Sequence, residues 1–369
     1  RENVVLSGNF RMKVARELGI KMVPVIKVKI DDPEKEQELV LRMNRNVGAW
    51  SWEMLKDFEI ETLMDVGFDD NDLMSIWDAQ LSIEDDHFNP DEEIQKIIIP
   101  ETKPGDLYQI GRHRLLCADS QNPENIKKLM GDEKADMFDT DFPYNIGLSY
   151  DNGIGTKGKY GGKTNDNKTD AEFKTFLKTI MQNGLQAMKP DCHFFSWADE
   201  SYVWLIQEIY CELGIDNRRI CLWIKNNSSP TPQVAFSKAF ECCIYGTRKK
   251  PFLSSVHNLN EILNQEVGTG NRMIEDILDL LNIWMVKRLS ANSYNHPTEK
   301  SPTVHEKKLK RCTKPGDIVL DLCAGSGSIM GACEQMGRKA YMCEIEPRFC
   351  DLIINRYKSY GKTDVKKLN

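Results

Sequence analysis

The chain has 369 residues, of which 40% are apolar, 28% charged and 9% aromatic, with a net charge of −7. That length suits two domains or one large α/β domain with additions, and the composition excludes disordered, fibrous and membrane-embedded classes. No stretch approaches the ~20 apolar residues of a membrane span, and no apolar signal segment follows Arg1, so a fragment or processed start outside the secretory route is expected.

In chain order, Val4-Val5-Leu6 reads as a strand, 10–18 as a helix ended by Gly19, and 23–30, rich in β-branched residues, as a second strand. Residues 31–80 read as helical. Residues 81–104, with Glu84-Asp85-Asp86, Asn89-Pro90 and Pro100, have the chemistry of an acidic linker, and the domain boundary is placed there. From about residue 105 strands alternate with helices. Residues 106–110 and 113–117 form an expected hairpin closed by Gly111-Arg112, and 135–140 reads as a strand. Then come a helix over 173–188, a strand over 193–197, a helix over 202–213 and a strand over 219–224. A strand over 318–322 enters Gly325-Ser326-Gly327, followed by a helix over 328–336 and a strand over 340–343. This alternation predicts an α/β fold with a Rossmann-like, doubly wound sheet.

Charge is unevenly spread. Residues 31–101 hold 5 Lys/Arg against 21 Asp/Glu, so the remainder carries a balance of +9 and can present a phosphate-facing surface. The eleven cysteines include no CxxC pair and no Cys/His ligand spacing, which predicts reduced, mostly buried thiols and no metal site.

Two constellations carry chemistry. In Asp321-Leu322-Cys323-Ala324-Gly325-Ser326-Gly327-Ser328, a strand meets a glycine turn and a helix, a geometry that lets backbone approach a ligand closely. Glu344, about 20 residues on, suits both hydroxyls of a ribose. The turn lacks the third glycine of a dinucleotide fingerprint, so a purely structural turn stays open. The second constellation, Asp141-Phe142-Pro143-Tyr144, ends a strand. An acid and a backbone carbonyl there can accept the two hydrogens of a base's exocyclic amine, and an aromatic ring can stack on a base out of its duplex.

With these residues in order, the chain resembles the S-adenosylmethionine-dependent amino-group DNA methyltransferases of the permuted beta class. Their catalytic loop reads D/N/S-P-P-Y/F and their cofactor loop D-x-F-x-G-x-G. Cys117-Ala118-Asp119-Ser120 resembles the segment whose acid contacts the cofactor's adenine. His296-Pro297-Thr298-Glu299-Lys300 resembles the block that holds its methionine end, and Cys343-Glu344-Ile345-Glu346-Pro347 the block with the ribose acid. The resemblance implies a methyltransferase domain over 105–362, with target-recognition elements over 225–295. It implies a cofactor site of Asp119, Ser120, His296, Thr298, Lys300, Asp321, Cys323, Ala324, Gly325, Ser326, Gly327 and Glu344, and a catalytic loop of Asp141, Phe142, Pro143 and Tyr144. S-adenosyl-L-methionine is the implied cofactor and double-stranded DNA the implied partner; a homodimer stays open. Such a protein is expected in the cytoplasm, on the nucleoid of a prokaryote or phage host, in restriction-modification. The D-x-P-Y form implies adenine N6 as the acceptor, with cytosine N4 as the alternative. Arg248-Lys249-Lys250 and Lys287-Arg288 are candidate phosphate contacts. Leu6-Ser7-Gly8-Asn9-Phe10-Arg11, Gly19-Ile20 and Val23-Pro24-Val25 resemble the second half of a ParB-like domain, giving a partial ParB-like α+β segment and helical extension over 1–80, with Arg11 as a candidate phosphate ligand.

Four positions depart from the pattern. Phe142 replaces a proline that would fix the loop's φ. Asp139 places a carboxylate in a strand expected to be buried on both faces. Cys323 replaces an aromatic residue, and Ser301 a proline. Together they raise a second reading, a DNA-binding pseudoenzyme without turnover. A nicotinamide oxidoreductase is a distant third, because it leaves the D-F-P-Y loop unexplained.

Overall fold

The computed structural model describes residues 83–145, 167–224, 240–254, 283–285 and 300–368, with short stretches between 12 and 39. The chain divides into two compact units, Arg1–Gln80 and Leu81–Asn369.

In the first unit, helical turns around residues 12–16 end at Gly19, whose φ of +70° is left-handed and whose N–H reaches the Arg16 carbonyl at 3.1 Å. That helix end matches the sequence reading. The expected strand over 23–30 does not form: Val25, Ile26 and Val28 are exposed and no ladder pairs them. β-Branched residues favour a strand only where a neighbouring strand and a packed face are available. Leu6-Ser7-Gly8-Asn9-Phe10-Arg11, which carries most of the ParB-like resemblance, lies outside the described residues, as does nearly all of 40–82.

The second unit is built on one mixed sheet. Its strands are β1 (Leu107–Ile110), β2 (His113–Cys117), β3 (Ala135–Asp141), β4 (Met188–Ala198), β5 (Asp216–Ile224), β6 (Phe240–Arg248), β7 (Ile283–Met285), β8 (Ile318–Asp321), β9 (Lys339–Glu344) and β10 (Val365–Lys367). They lie in the order β10-β1-β2-β9-β8-β3-β4-β6-β5-β7. The five central strands, β2-β9-β8-β3-β4, are parallel, and β6 runs antiparallel to both β4 and β5.

Helices cover both faces. On one side α2 (Pro123–Met130), α3 (Asp170–Ala187) and α4 (Val203–Leu213) pack on Leu116, Phe138, Phe194 and Leu320. On the other, α5 (Glu306–Cys312), α6 (Ser328–Gln335) and α7 (Pro347–Ser359) pack on Leu115, Met137, Trp197 and Val319. Adjacent residues such as Met137 and Phe138 enter opposite cores, which explains why these strands read as continuous apolar runs. Helix ends are encoded locally: Thr169 and Glu172 form a reciprocal capping box at α3, and Asn122 with Pro123 starts α2. The unit β3-α3-β4 winds one way and β8-α6-β9 the other, starting from adjacent strands. The crevice between the C-terminal ends of β8 and β3 is therefore the topological switch point, where open α/β sheets bind ligands.

Within residues 225–295, where target-recognition elements are expected, β6 puts Cys243 and Ile244 fully into the two cores. Its sequence, Phe-Glu-Cys-Cys-Ile-Tyr-Gly-Thr-Arg, shows no alternation because both faces are covered. Residues 83–104 are no free linker. Ile83 enters the core, α1 (Pro90–Lys96) puts Ile94 against Leu352, and the backbone of Glu84 exchanges hydrogen bonds with the side chain of Gln335 at 2.8 and 3.0 Å. Asp86 holds Arg356 through Nε at 2.6 Å and Nη2 at 3.0 Å and accepts from Tyr360 at 2.6 Å, with both charged side chains almost fully buried. The acidity that suggested a solvated linker is used for this pairing.

Removing one partner of a buried, bidentate pair strands the other charge, at a cost of about 3–5 kcal/mol. Asp86→Ala is therefore expected to lower the chain's stability by about that amount, measured as a shift in the urea unfolding midpoint with an unchanged slope. A midpoint equal to wild type would show that this strap does not hold the fold.

Candidate active site

The C-terminal ends of the parallel strands bring the sequence-predicted acids to one edge. Cys117 pairs with Glu344 across β2 and β9, and Asp141 with Trp197 across β3 and β4. At the switch point, Thr140 Oγ1 on β3 accepts the N–H of Leu322, just past β8, at 3.1 Å.

The glycine turn is shaped by backbone needs. Gly325 has φ +51° and Gly327 φ +76°, conformations that L side chains rarely adopt. A Cβ on Gly327 would come within 2.9 Å of Ile353, whereas one on Gly325 would meet nothing within 4 Å. Gly327 thus packs the turn against α7, and Gly325 faces open space. The Gly325 N–H donates to Glu344 Oε2 at 2.8 Å, and the Glu346 N–H to Oε1 at 2.9 Å. Burial nonetheless pushes the Glu344 carboxyl up to about 7. Burial likewise holds Asp321 well above the carboxylate range, with Asp139, Asp141 and Glu344 adding to the effect, while the Cys323 N–H donates to its Oδ1 at 3.1 Å. Ser326 is tied by its carbonyl to Arg356 Nη1 at 3.1 Å. Asp119 accepts from the Gln121 N–H at 2.9 Å, and Ala118, beside it, donates its N–H to the Glu344 carbonyl at 2.9 Å. The buried Ser120 gives its carbonyl to Asn183 at 3.0 Å. His296 and Thr298 lie outside the described residues.

The second constellation is more polar than its sequence suggests. Lys300, expected from the resemblance to hold the methionine end, sets its buried ammonium against the 141–144 loop: it donates to Asp141 Oδ2 and, at 3.2 Å, to Tyr144 Oη. Glu241 on β6, which no motif indicated, accepts from Tyr144 Oη at 3.0 Å and lies 3.4 Å from Lys300 Nζ. Asp141 Oδ1 is buried and has no hydrogen-bond partner among the described residues. Burial raises the Asp141 carboxyl; the nearby Lys300 opposes this, and Glu241 adds to it.

The four departures are accommodated. Asp139 is not an unpaired carboxylate. It accepts from Trp197 Nε1 at 3.2 Å and from Lys308 Nζ, and lies 3.0 Å from His305 Nδ1. These partners hold its carboxyl far below the usual range despite burial. Burial and Lys308 depress the His305 imidazole to about 4, so it is neutral near pH 7. An ionised Asp139 can only accept, so Nδ1 carries the proton and Nε2 accepts from Ser328 at 3.0 Å. Phe142 is 2% exposed and packs with Phe138 at a ring separation of 6.3 Å. The loop is thus anchored by a buried ring where the motif it resembles has a proline, and only the Phe142 backbone remains for a ligand. Ser301 accepts the Thr303 N–H at the start of the 3₁₀ turn Pro302–His305 and donates to Asp85 at 2.9 Å. Cys323 packs at the margin of a core cluster.

The candidate phosphate contacts fare differently. Arg248 pairs with Cys192 near the start of β4, so Arg248-Lys249-Lys250 lies at the sheet edge opposite Asp141. Lys287 and Arg288 are outside the described residues. All eleven cysteines are free, and nine are buried.

Comparison with known proteins agrees with this geometry. The family described as DNA methylase, of N6 and N4 type, matches residues 135–355. The type II methyltransferase M.HpaI of Haemophilus parainfluenzae is 20% identical over 247 residues, 67% of this chain and 74% of that one. M.BamHI of Bacillus amyloliquefaciens is 23% identical over 304 residues, 76% of this chain and 68% of that one. Among solved structures, the PvuII DNA methyltransferase (cytosine-N4-specific) is similar at a TM-score of 0.50 and 14% identity, covering 72% of this chain and 91% of that one, a likeness of fold.

Restoring the relatives' residues singly should do harm. Phe142→Pro empties a packed aromatic site, with an expected loss of about 3 kcal/mol. Asp139→Val leaves the buried Lys308 without its carboxylate, with an expected loss of about 3–5 kcal/mol. Denaturant unfolding checks both, and unchanged midpoints would make these departures incidental.

Proposed function

Starting from the premise that this chain belongs to the N6/N4 DNA methylase family, we propose that it transfers a methyl group from S-adenosylmethionine to the N6 amine of adenine in double-stranded DNA. The single observation that supports this most is the unpartnered, buried oxygen of Asp141 at the switch-point edge that also holds the open Gly325 turn. A buried acceptor without a donor is costly, and here the missing donor is the amine of a flipped base.

The residues fit the cofactor. Space over Gly325 admits a close approach, and Glu344, once ionised, accepts from two ribose hydroxyls. A cationic ligand offsets the burial that raises the Asp321 carboxyl, and Asp119 is offered to the adenine. When bound, S-adenosylmethionine supplies an electrophilic methyl group. The chain's own residues prepare the acceptor. Asp141 Oδ1 takes one amine hydrogen and the Phe142 carbonyl the other, which frees the nitrogen lone pair from conjugation with the ring. Tyr144 stacks on the flipped base. The D-x-P-Y form favours adenine N6 over cytosine N4. The paired Asp139 and packed Phe142 support an active enzyme over a decayed one.

Single-molecule sequencing of host DNA, with and without expression of the chain, tests the reading. N6-methyladenine at one recognition site is the expected result; N4-methylcytosine would overturn the choice of base, and no modification would overturn the activity. Asp141→Ala is expected to abolish transfer with cofactor affinity nearly intact, because Asp141 meets the amine and not the cofactor. Glu344→Ala should weaken cofactor binding by about 1.5–3 kcal/mol, read by calorimetry.

The raised Glu344 carboxyl adds a pH dependence. Its folded value, about 7, lies above the ordinary carboxylate value, so folding favours the protonated form, and that contribution to stability is lost as pH rises through 7. Acceptance from hydroxyls favours the carboxylate. Cofactor affinity should therefore rise between pH 6 and pH 8 and be flat there in Glu344→Gln.

A further inference from the structure

Glu241 belongs to none of the sequence motifs. It stands on β6, which runs antiparallel beside β4, and is 4% exposed. Its carboxylate, Lys300 and the Tyr144 hydroxyl form a closed triangle, with Tyr144 Oη to Glu241 at 3.0 Å, Lys300 to Tyr144 Oη at 3.2 Å and Lys300 to Glu241 at 3.4 Å. Lys300 then reaches out of the triangle to Asp141 Oδ2, while Asp141 Oδ1 has no partner among the described residues. The Lys300 ammonium also lies 4.5 Å from the Trp197 ring centroid.

This arrangement answers a chemical difficulty. An ammonium paired with Asp141 alone is free to swing between both carboxylate oxygens and occupy the acceptor needed for the target amine. Shared with Glu241 and Tyr144, it is confined to one side of Asp141. The same triangle fixes the Tyr144 ring by its hydroxyl. We propose that Glu241 is a positioning residue for methyl transfer, which holds Lys300 and Tyr144 so that one Asp141 oxygen stays reserved for the amine of the target base. The proposal rests on the reading of 141–144 as the catalytic loop.

The charges that face Asp141 make the role measurable. Among the described residues they are Lys300, Glu241 from β6 and Asp139 from its own strand, with Asp321 of β8 and the Cys323 thiol within electrostatic reach and the Tyr144 phenol beside them. The Glu241 charge disfavours a second carboxylate nearby, so its removal makes Asp141 more acidic. The acidic limb of the pH profile for kcat, set by ionisation of Asp141, then moves to lower pH.

The test uses the whole chain and duplex DNA carrying the site found by sequencing. In Glu241→Gln, kcat is expected to fall on the order of 10- to 100-fold, the scale of a displaced catalytic group. KM for DNA and calorimetric cofactor affinity should stay within about twofold, and the acidic limb should move to lower pH. Tyr144→Phe, which keeps the ring and removes its tether, should give a smaller fall in kcat. Wild-type kcat and an unmoved acidic limb in Glu241→Gln overturn the proposal, as does a loss of cofactor affinity parallel to the loss of kcat, which marks a merely structural role. If Glu241→Gln does not fold, Tyr144→Phe decides: a reduced kcat supports the proposal and a wild-type kcat overturns it. A wild-type chain that binds cofactor and transfers no methyl group overturns the catalytic reading and this proposal together. Transfer by wild type with equal transfer by Glu241→Gln overturns the proposal alone.

Discussion

The ion pair between Asp139 and Lys308 is the constraint on which the site depends. Both side chains are buried beneath the sheet edge, on the face where α5 and α6 pack. Two charges taken out of water cost several kcal/mol each unless hydrogen bonds complete their shells. Trp197 and His305 do so for Asp139. Because Asp139 is two residues before Asp141, this anchors the strand that carries the 141–144 loop. Because His305 also accepts from Ser328, the same group bears on the first turn of α6, directly after the glycine turn. The two halves of the site, far apart in sequence, thus share one buried polar cluster.

A second polar cluster lies next to the first. Trp197 separates them, with Lys300 at 4.5 Å and Lys308 at 4.8 Å from its ring. Lys308 serves a carboxylate whose two oxygens both have partners. Lys300 serves one that keeps an oxygen without a partner among the described residues. That contrast separates two acids on the same strand. The strap of residues 83–89 contributes from outside: Asp86 fixes Arg356, which in turn holds Ser326 of the glycine turn, and Asp85 accepts from Ser301 next to Lys300. The acidic segment thereby bears on both halves of the site.

The departures from the family pattern become intelligible as compensated changes. A carboxylate in a central strand is damaging alone and tolerable beside Lys308 and His305. A missing proline frees φ, yet a buried phenylalanine holds the loop through area removed from water. The first compensation is not local in sequence: His305 and Lys308 lie more than 160 residues after Asp139.

The sequence by itself determined the alternation of strands and helices, the order of the two motif loops, and the glycine turn of Gly325 and Gly327. These depend on signals that act over a few residues: turn chemistry, capping, apolar runs and positive φ. The ends of β3, β8 and β9 were legible for that reason. Tertiary structure decided the rest. It made a ladder of β6, whose doubly buried face leaves no alternation to read, and withheld one from 23–30, where no strand partners the β-branched residues. It turned an acidic linker into a strap, because only a distant arginine reveals what Asp86 is for. It set Lys300 against Asp141 and Tyr144, and it brought in Glu241. A side chain's role there is set by which charges share its buried space, and those neighbours are chosen by the fold and not by spacing along the chain.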